Sequence, residues 1–248
     1  MNYLSRREMC WLLCVLLIMT AASFAEDAAS LTEDAESDTV THRVLHKDDF
    51  DTDLSQWVVE QATGGTTALQ NGQLEIDDAK GCTVWFKEKL AGAIMIEYEA
   101  TLIKQDGEHD RVSDLNCFWM AIDLKHPEDL FANKSRQGSF ANYHSLRLYY
   151  VGYGANDNTT TRFRRYPGDG SRPCLPEHDL GDEKFLHEPN KTIQIQIIAD
   201  GGKIQYLRDG EIVFDFLDEK PFREGWFGFR TVRNHMRIDN FRVYRLTP

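Results

Sequence analysis

The chain has 248 residues, with 28 Lys and Arg against 40 Asp and Glu, giving a formal net charge of −12. So acidic a protein is a poor general partner for nucleic acid or an anionic membrane surface. Any site for an anion has to gather its arginines locally. Residues 1–25 read as a secretory signal, with Arg6 and Arg7 ahead of an apolar run, 10–19, and Ser23-Phe24-Ala25 as a small-x-small cleavage site. The run is short for a membrane span, so the expected location is periplasmic or extracellular, with no membrane contact beyond the signal. Residues 26–43, rich in Ala, Asp, Glu, Ser and Thr, read as a disordered acidic linker. Residues 44–248 remain as one domain.

Strand-like runs recur through that domain at 44–50, 57–61, 66–69, 73–76, 82–86, 93–103 and 115–122. They continue at 146–151, 159–166, 192–199, 203–207, 211–216, 226–232 and 236–246. Turn signals separate them: Asn71-Gly72, Asp106-Gly107, Gly201-Gly202 and Asp209-Gly210. The run KIQYLRDGEIVFDF reads as a hairpin. Only 126–133 suggests a helical turn. Many short strands and few helices predict an all-β jelly-roll sandwich. Of the five cysteines, Cys82, Cys117 and Cys174 lie beyond the signal. Cys82 and Cys117 sit in strand runs as small buried residues, and no zinc spacing occurs.

The densest chemistry lies between His144 and Tyr166. Two strands flank a Gly/Asn loop that tolerates left-handed backbone. On the second strand Arg162, Arg164 and Tyr166 share one face and Phe163 takes the other. The expected arrangement buries Phe163 and turns the arginines to an anion, or else to acids on a solvated surface. Arg230 lies beside Gly228 in a second such strand, which suggests room for a ligand. A third cluster, DRVSDLNCFWM, offers Arg111, Asp114 and Asn116 at the entry to a strand. Trp119 follows, either as a sugar-stacking platform or as core.

Four stretches together resemble an uncharacterised secreted family of concanavalin A-like lectin/glucanase domains from polysaccharide-degrading bacteria. They are DRVSDLNCFWMA, LRLYYVGYGANDNTTTRFRRY, PFREGWFGFRTVRNHMRI and DNFRVYRL. The resemblance implies a concanavalin A-like jelly roll, export, and association with a polysaccharide or oligosaccharide, without fixing a reaction. Asp48-Asp49-Phe50-Asp51 and Ile238-Asp239-Asn240-Phe241 suggest first and last strands lying side by side. Asp51, Asp53 and Asp239 are candidate ligands for a structural calcium, or simply turn and cap residues. No other cofactor is required. The Glu-x-Asp-x-x-Glu strand of retaining glucanases is absent, and Gln194-Ile195-Gln196 lacks the His of jelly-roll alginate lyases.

The residue types still suit elimination from an acidic sugar. Arg162, Arg164 and Arg230 are candidates to neutralise a carboxylate. His144, Tyr149, Tyr166 and His235, with Asp114, are candidates to move protons. Glu97, Glu99, Asp114 and Asp123 leave hydrolysis open. An enzyme, lyase or hydrolase, is favoured because no catalytic domain accompanies this one. A non-catalytic carbohydrate-binding module is the alternative.

Overall fold

The computed structural model describes residues 42–247. The signal segment and nearly all of the linker read from the sequence lie outside the described residues. Sixteen strands follow one another. The first eight are β1 (Arg43–Asp48), β2 (Trp57–Gln61), β3 (Thr66–Gln70), β4 (Gln73–Asp78), β5 (Cys82–Phe86), β6 (Leu90–Ala91), β7 (Ile94–Leu102) and β8 (Leu115–Asp123). The remainder are β9 (Leu146–Gly154), β10 (Thr160–Pro167), β11 (Asp179–Leu180), β12 (Thr192–Asp200), β13 (Lys203–Arg208), β14 (Glu211–Leu217), β15 (Glu224–Thr231) and β16 (Asn234–Arg245). Two predicted strands, 57–61 and 82–86, coincide with β2 and β5 residue for residue. The two-residue strands β6 and β11 carry no alternation and were invisible in the sequence. The helical turn expected over 126–133 is a single 3-10 turn, Leu130–Ala132, whose entry Asp129 caps by accepting from Phe131 N at 2.9 Å.

The strands form two antiparallel sheets. The first runs β14-β13-β12-β7-β16-β4-β3, with β1 also on β16; the second runs β11-β10-β9-β8-β15-β5-β2, with β6 on β15. First and last long strands are neighbours as expected, with Asp48 opposite Phe241. The Asp209-Gly210 hairpin joins β13 to β14, both turn residues having positive φ.

Alternation explains the first sheet. Ile94, Ile96, Tyr98, Ala100 and Leu102 on β7 are buried and their intervening partners less so. These side chains meet Trp119, Tyr149, Val151, Phe163, Phe227 and Phe229 from the second sheet in one inter-sheet core. The second sheet is different. Every residue of β8 is buried, and all but Arg147 of β9. Its outer face supports a second apolar cluster containing Trp85, Phe118, Tyr143, Tyr150 and Tyr166. The cover comes from the β8–β9 connection, residues 124–145, which lies on that face.

Candidate functional site

Register draws a polar line across the outer face of the second sheet. Arg162 pairs with Gly152, Gly152 with Asn116, Asn116 with Arg230, Arg230 with Thr83, and Thr83 with Glu60. Cross-strand partners project to the same side. Two residues along, Arg164, Tyr150, Phe118, Gly228, Trp85 and Val58 form a parallel line. Glycine has a packing reason at Gly228: a Cβ there would sit 2.5 Å from the Trp85 ring.

The β9–β10 end of these lines opens into a cleft of about 510 Å³. Arg162, Arg164, Tyr150 and Gly152 contribute from the strands, and Arg111 and Asp114 from the entry to β8. Phe140, Arg172, Asp157 and Arg233 contribute from four separate loops. Five arginines and two aspartates thus face one cleft. Arg111 is committed, donating to Asp114 at 2.9 Å, to Asp157 at 2.5 Å and to the Val232 carbonyl at 2.9 Å. Arg162 donates to Asp179 at 2.7 Å. Arg164 donates only to the Arg172 carbonyl oxygen. Among the described residues Arg164, Arg172 and Arg233 have no carboxylate partner, and Arg172 lies over the Phe140 ring at 5.7 Å.

The loop between β9 and β10 is held in an uncommon conformation. Asn156, Asp157 and Asn158 have φ of 54°, 59° and 59°. Asn and Asp visit that region more readily than other side-chain-bearing residues, though usually singly. Asn158 ties the loop down, donating to the His187 carbonyl at 3.0 Å and accepting from the His187 N–H at 2.9 Å.

Tyr166 and His144 stand together beside the cleft, ring centroids 6.3 Å apart. Tyr166 Oη and His144 Nε2 are both buried without a hydrogen-bond partner among the described residues. Burial pushes the Tyr166 hydroxyl up to about 12, although Arg172 and Arg164 pull it back. Burial lowers His144, and the charges of Arg172 and Arg230 lower it further. Both effects favour the neutral imidazole.

A family model described as a domain of unknown function, DUF6250, matches residues 76–241, most of the chain. The chain belongs to the DUF6250 family. Among curated proteins none matches it by sequence. Solved structures do resemble it. One is a protein of unknown function with a galectin-like fold from Bacillus subtilis, at 17% identity and TM-score 0.64, covering 82% of this chain and 96% of that one. Another is the carbohydrate-binding module CBM66 from Bacillus subtilis, at 13% identity and TM-score 0.52, covering 76% and 95%. A third is the endo-beta-1,3-glucanase from Pyrococcus furiosus, at 14% identity and TM-score 0.54, covering 83% and 95%. At these identities the likeness establishes the fold, a jelly-roll sandwich of the galectin and glucanase type.

In this DUF6250 domain several sequence candidates converge. Arg111, Asp114, Arg162, Arg164 and Tyr166 line one cleft. Asn116 lies buried behind it, donating to Asp114 at 3.2 Å. Asp114 also accepts from Arg111 and from Ser113 Oγ, so it orients Arg111 and is not a free base.

Other candidates are corrected. Tyr149 points into the inter-sheet core, and so does Trp119, for which core was one of the two readings; both are one residue out of phase with the outer-facing Tyr150 and Phe118. The Tyr149 hydroxyl donates to Asp218 at 2.6 Å and accepts from Phe222 N at 3.0 Å. His235 belongs to the first sheet, between Asp110 at 2.7 Å and Glu75 at 3.3 Å. Arg230 is on the expected face but wholly buried, and the room beside Gly228 is filled by Trp85.

Glu97 and Glu99 are on β7 of the first sheet, accepting from Gln196 and Asn240. No three His, Cys, Asp or Glu residues among the described residues converge with metal-ligand geometry. Of the calcium candidates Asp51, Asp53 and Asp239, Asp53 accepts from Ser55 N at 2.8 Å and Asp239 from Gln73 at 3.2 Å.

The sequence reading missed Tyr150, Phe140, Asp157, Arg172 and Arg233. Tyr150 was within reach, since it pairs with Arg164 across the hairpin. The other four lie in loops without periodicity.

Proposed function

We propose that this chain binds an acidic carbohydrate in the arginine-lined cleft. The observation that carries the reading is the local surplus of positive charge: five arginines against two aspartates around one cleft, in a chain of formal charge −12. A carboxylate or sulfate offers Arg164, Arg172 and Arg233 the bidentate partner they lack. Phe140 supplies an apolar face for a sugar ring. The carbohydrate names of two fold neighbours, a binding module and a glucanase, support the ligand class. Export through residues 1–25 belongs to the same reading, since it brings the protein to extracellular glycans.

A second reading adds chemistry, and the unpartnered Tyr166 hydroxyl and His144, whose surroundings favour its neutral form, support it. In β-elimination a base removes the C5 proton of a uronate, the C4–C5 double bond forms as the C4–O4 bond breaks, and the leaving oxygen takes up a proton. Tyr166 and His144 are the groups at hand for the two proton transfers, with Arg164 and Arg172 on the carboxylate. Two-carboxylate hydrolysis has less support. It needs a pair of available carboxyls about 5–5.5 Å apart for retention or ~6.5–9.5 Å apart for inversion. On this face Asp114 is held by three donors, and Glu60 is held by Arg136, Trp85 and Tyr143.

The test is a panel of acidic and neutral polysaccharides, followed in parallel by affinity electrophoresis, ultraviolet absorbance for unsaturated uronate, and reducing ends. Retardation by acidic glycans alone is expected. An ultraviolet rise lost in Tyr166→Phe would establish the elimination. Retardation only by neutral glycans would overturn the acidic reading.

A further inference from the structure

We infer that the cleft takes the end of an acidic sugar chain and not an internal run; this rests on the acidic-carbohydrate reading above. A groove for internal runs has to be open along its length. Here the two lines of residues cross six strands and reach solvent at the β9–β10 end and again at the β2 edge, where Val58 and Glu60 are half-buried, but their middle is closed. Thr83 and Arg230 are 0% exposed, as are Trp85 and Phe118. What covers them is the connection 124–145.

The attachment of that connection is specific. Arg136, itself 0% exposed, donates through Nη2 and Nε to both carboxylate oxygens of Glu60, at 2.7 and 3.1 Å, and to the Leu130 carbonyl at 2.8 Å. Tyr143 Oη donates to Glu60 at 2.8 Å, and its ring stacks on Phe118 at 5.6 Å. Arg230 donates to the Gly138 carbonyl at 2.5 Å. A group buried with this many charge-assisted bonds does not swing aside to admit a polymer. Phe140, from the same connection, is the wall where the cleft stops.

Two further sides of the cleft are bounded. The turn carrying Asp157 is bridged to Arg111, which also holds the Val232 carbonyl beside Arg233. Arg172 stands against Phe140 on the opposite side. A volume near 510 Å³ lies within the ~300–1,000 Å³ of sites that enclose one small ligand. The unpaired arginines are therefore spent on one terminal acidic unit and its near neighbours.

The experiment is calorimetric titration of the whole protein with oligogalacturonides and oligomannuronates from dimer to hexamer, and with the parent polymers. End recognition predicts affinity that changes less than about threefold along the ladder, a difference well under one decade. It also predicts one protein per polymer chain end, and loss of polymer binding when the terminal unit is chemically modified. Affinity rising tenfold or more with length, with several proteins per chain, would overturn the inference and leave the acidic reading standing. No binding of any acidic oligomer or polymer would overturn both. Phe140→Ala supplies an independent arm. Removing that wall should raise affinity for end-modified polymer, and no change there counts against the inference.

Discussion

Arg136 and Glu60 meet in a two-pronged ion pair with the guanidinium wholly out of solvent, joining the 124–145 connection to the sheet edge at β2. Trp85 Nε1 donates to the same carboxylate at 3.0 Å. Arg136→Met removes every charged donor from Glu60 and leaves a largely buried carboxylate with two neutral ones. The expected loss is about 3–5 kcal/mol in denaturant unfolding. Combining it with Glu60→Gln should recover a good part of that. If the single variant unfolds within 1 kcal/mol of wild type, by the ~1 kcal/mol scale of ordinary substitutions, the connection is not anchored here.

Arg164→Ala and Arg172→Ala should each weaken binding of the best acidic glycan ten- to hundredfold, matching roughly 1.5–3 kcal/mol for a bond to a charged partner. Arg237→Ala serves as the control, because Arg237 pairs with Glu75 at 2.6 Å on the first sheet. Equal effects of all three would point to bulk charge and away from the cleft.

The pH dependence of stability has an identifiable contributor. Burial lowers the His187 imidazole to about 4, opposed by a hydrogen bond to the Tyr153 carbonyl. Between about 4 and the ordinary value of 6.5 the unfolded chain binds a proton that the folded chain does not, so stability rises with pH there. This contribution is complete above pH 6.5 and falls by roughly 3 kcal/mol on descending to about pH 4. Denaturant midpoints across that range should show a shallower slope in His187→Gln. An unchanged slope would assign the dependence to other groups.

Asn158→Ala should cost about 2 kcal/mol, from two lost hydrogen bonds to His187 and a left-handed position that Ala tolerates poorly. Asn158→Gly keeps the backbone freedom and loses only the bonds, so it should fall between. Because this loop carries Asp157, both variants should also loosen Arg111, read as weaker glycan binding beyond the stability change. Binding that stays at the wild-type level would separate the loop from the cleft.

Legibility in the sequence followed the number of buried faces. On β10, Arg162, Phe163 and Arg164 alternate in polarity, and their faces were read as the structure has them. On β8 and β9 both faces are covered, so Trp119 and Phe118, or Tyr149 and Tyr150, are equally apolar and their phase is unreadable from the strand alone. Arg230 was misjudged for a reason outside its own strand. Residues 124–145 have no periodicity to announce that they cover a sheet. Likewise nothing around Arg172 distinguishes it from a solvated loop arginine.

The burial of Arg230 has one more consequence. Its Nε and Nη2 atoms meet no acceptor among the described residues, and its charge acts on Tyr150 and Tyr166, which line the cleft. A guanidinium cannot shed its proton at any ordinary pH, and mobile ions screen an interior charge far less than a surface one. The cleft thus draws on two kinds of positive potential, an outer one that added electrolyte attenuates and an inner one that persists, and anion binding should level off at high ionic strength without vanishing.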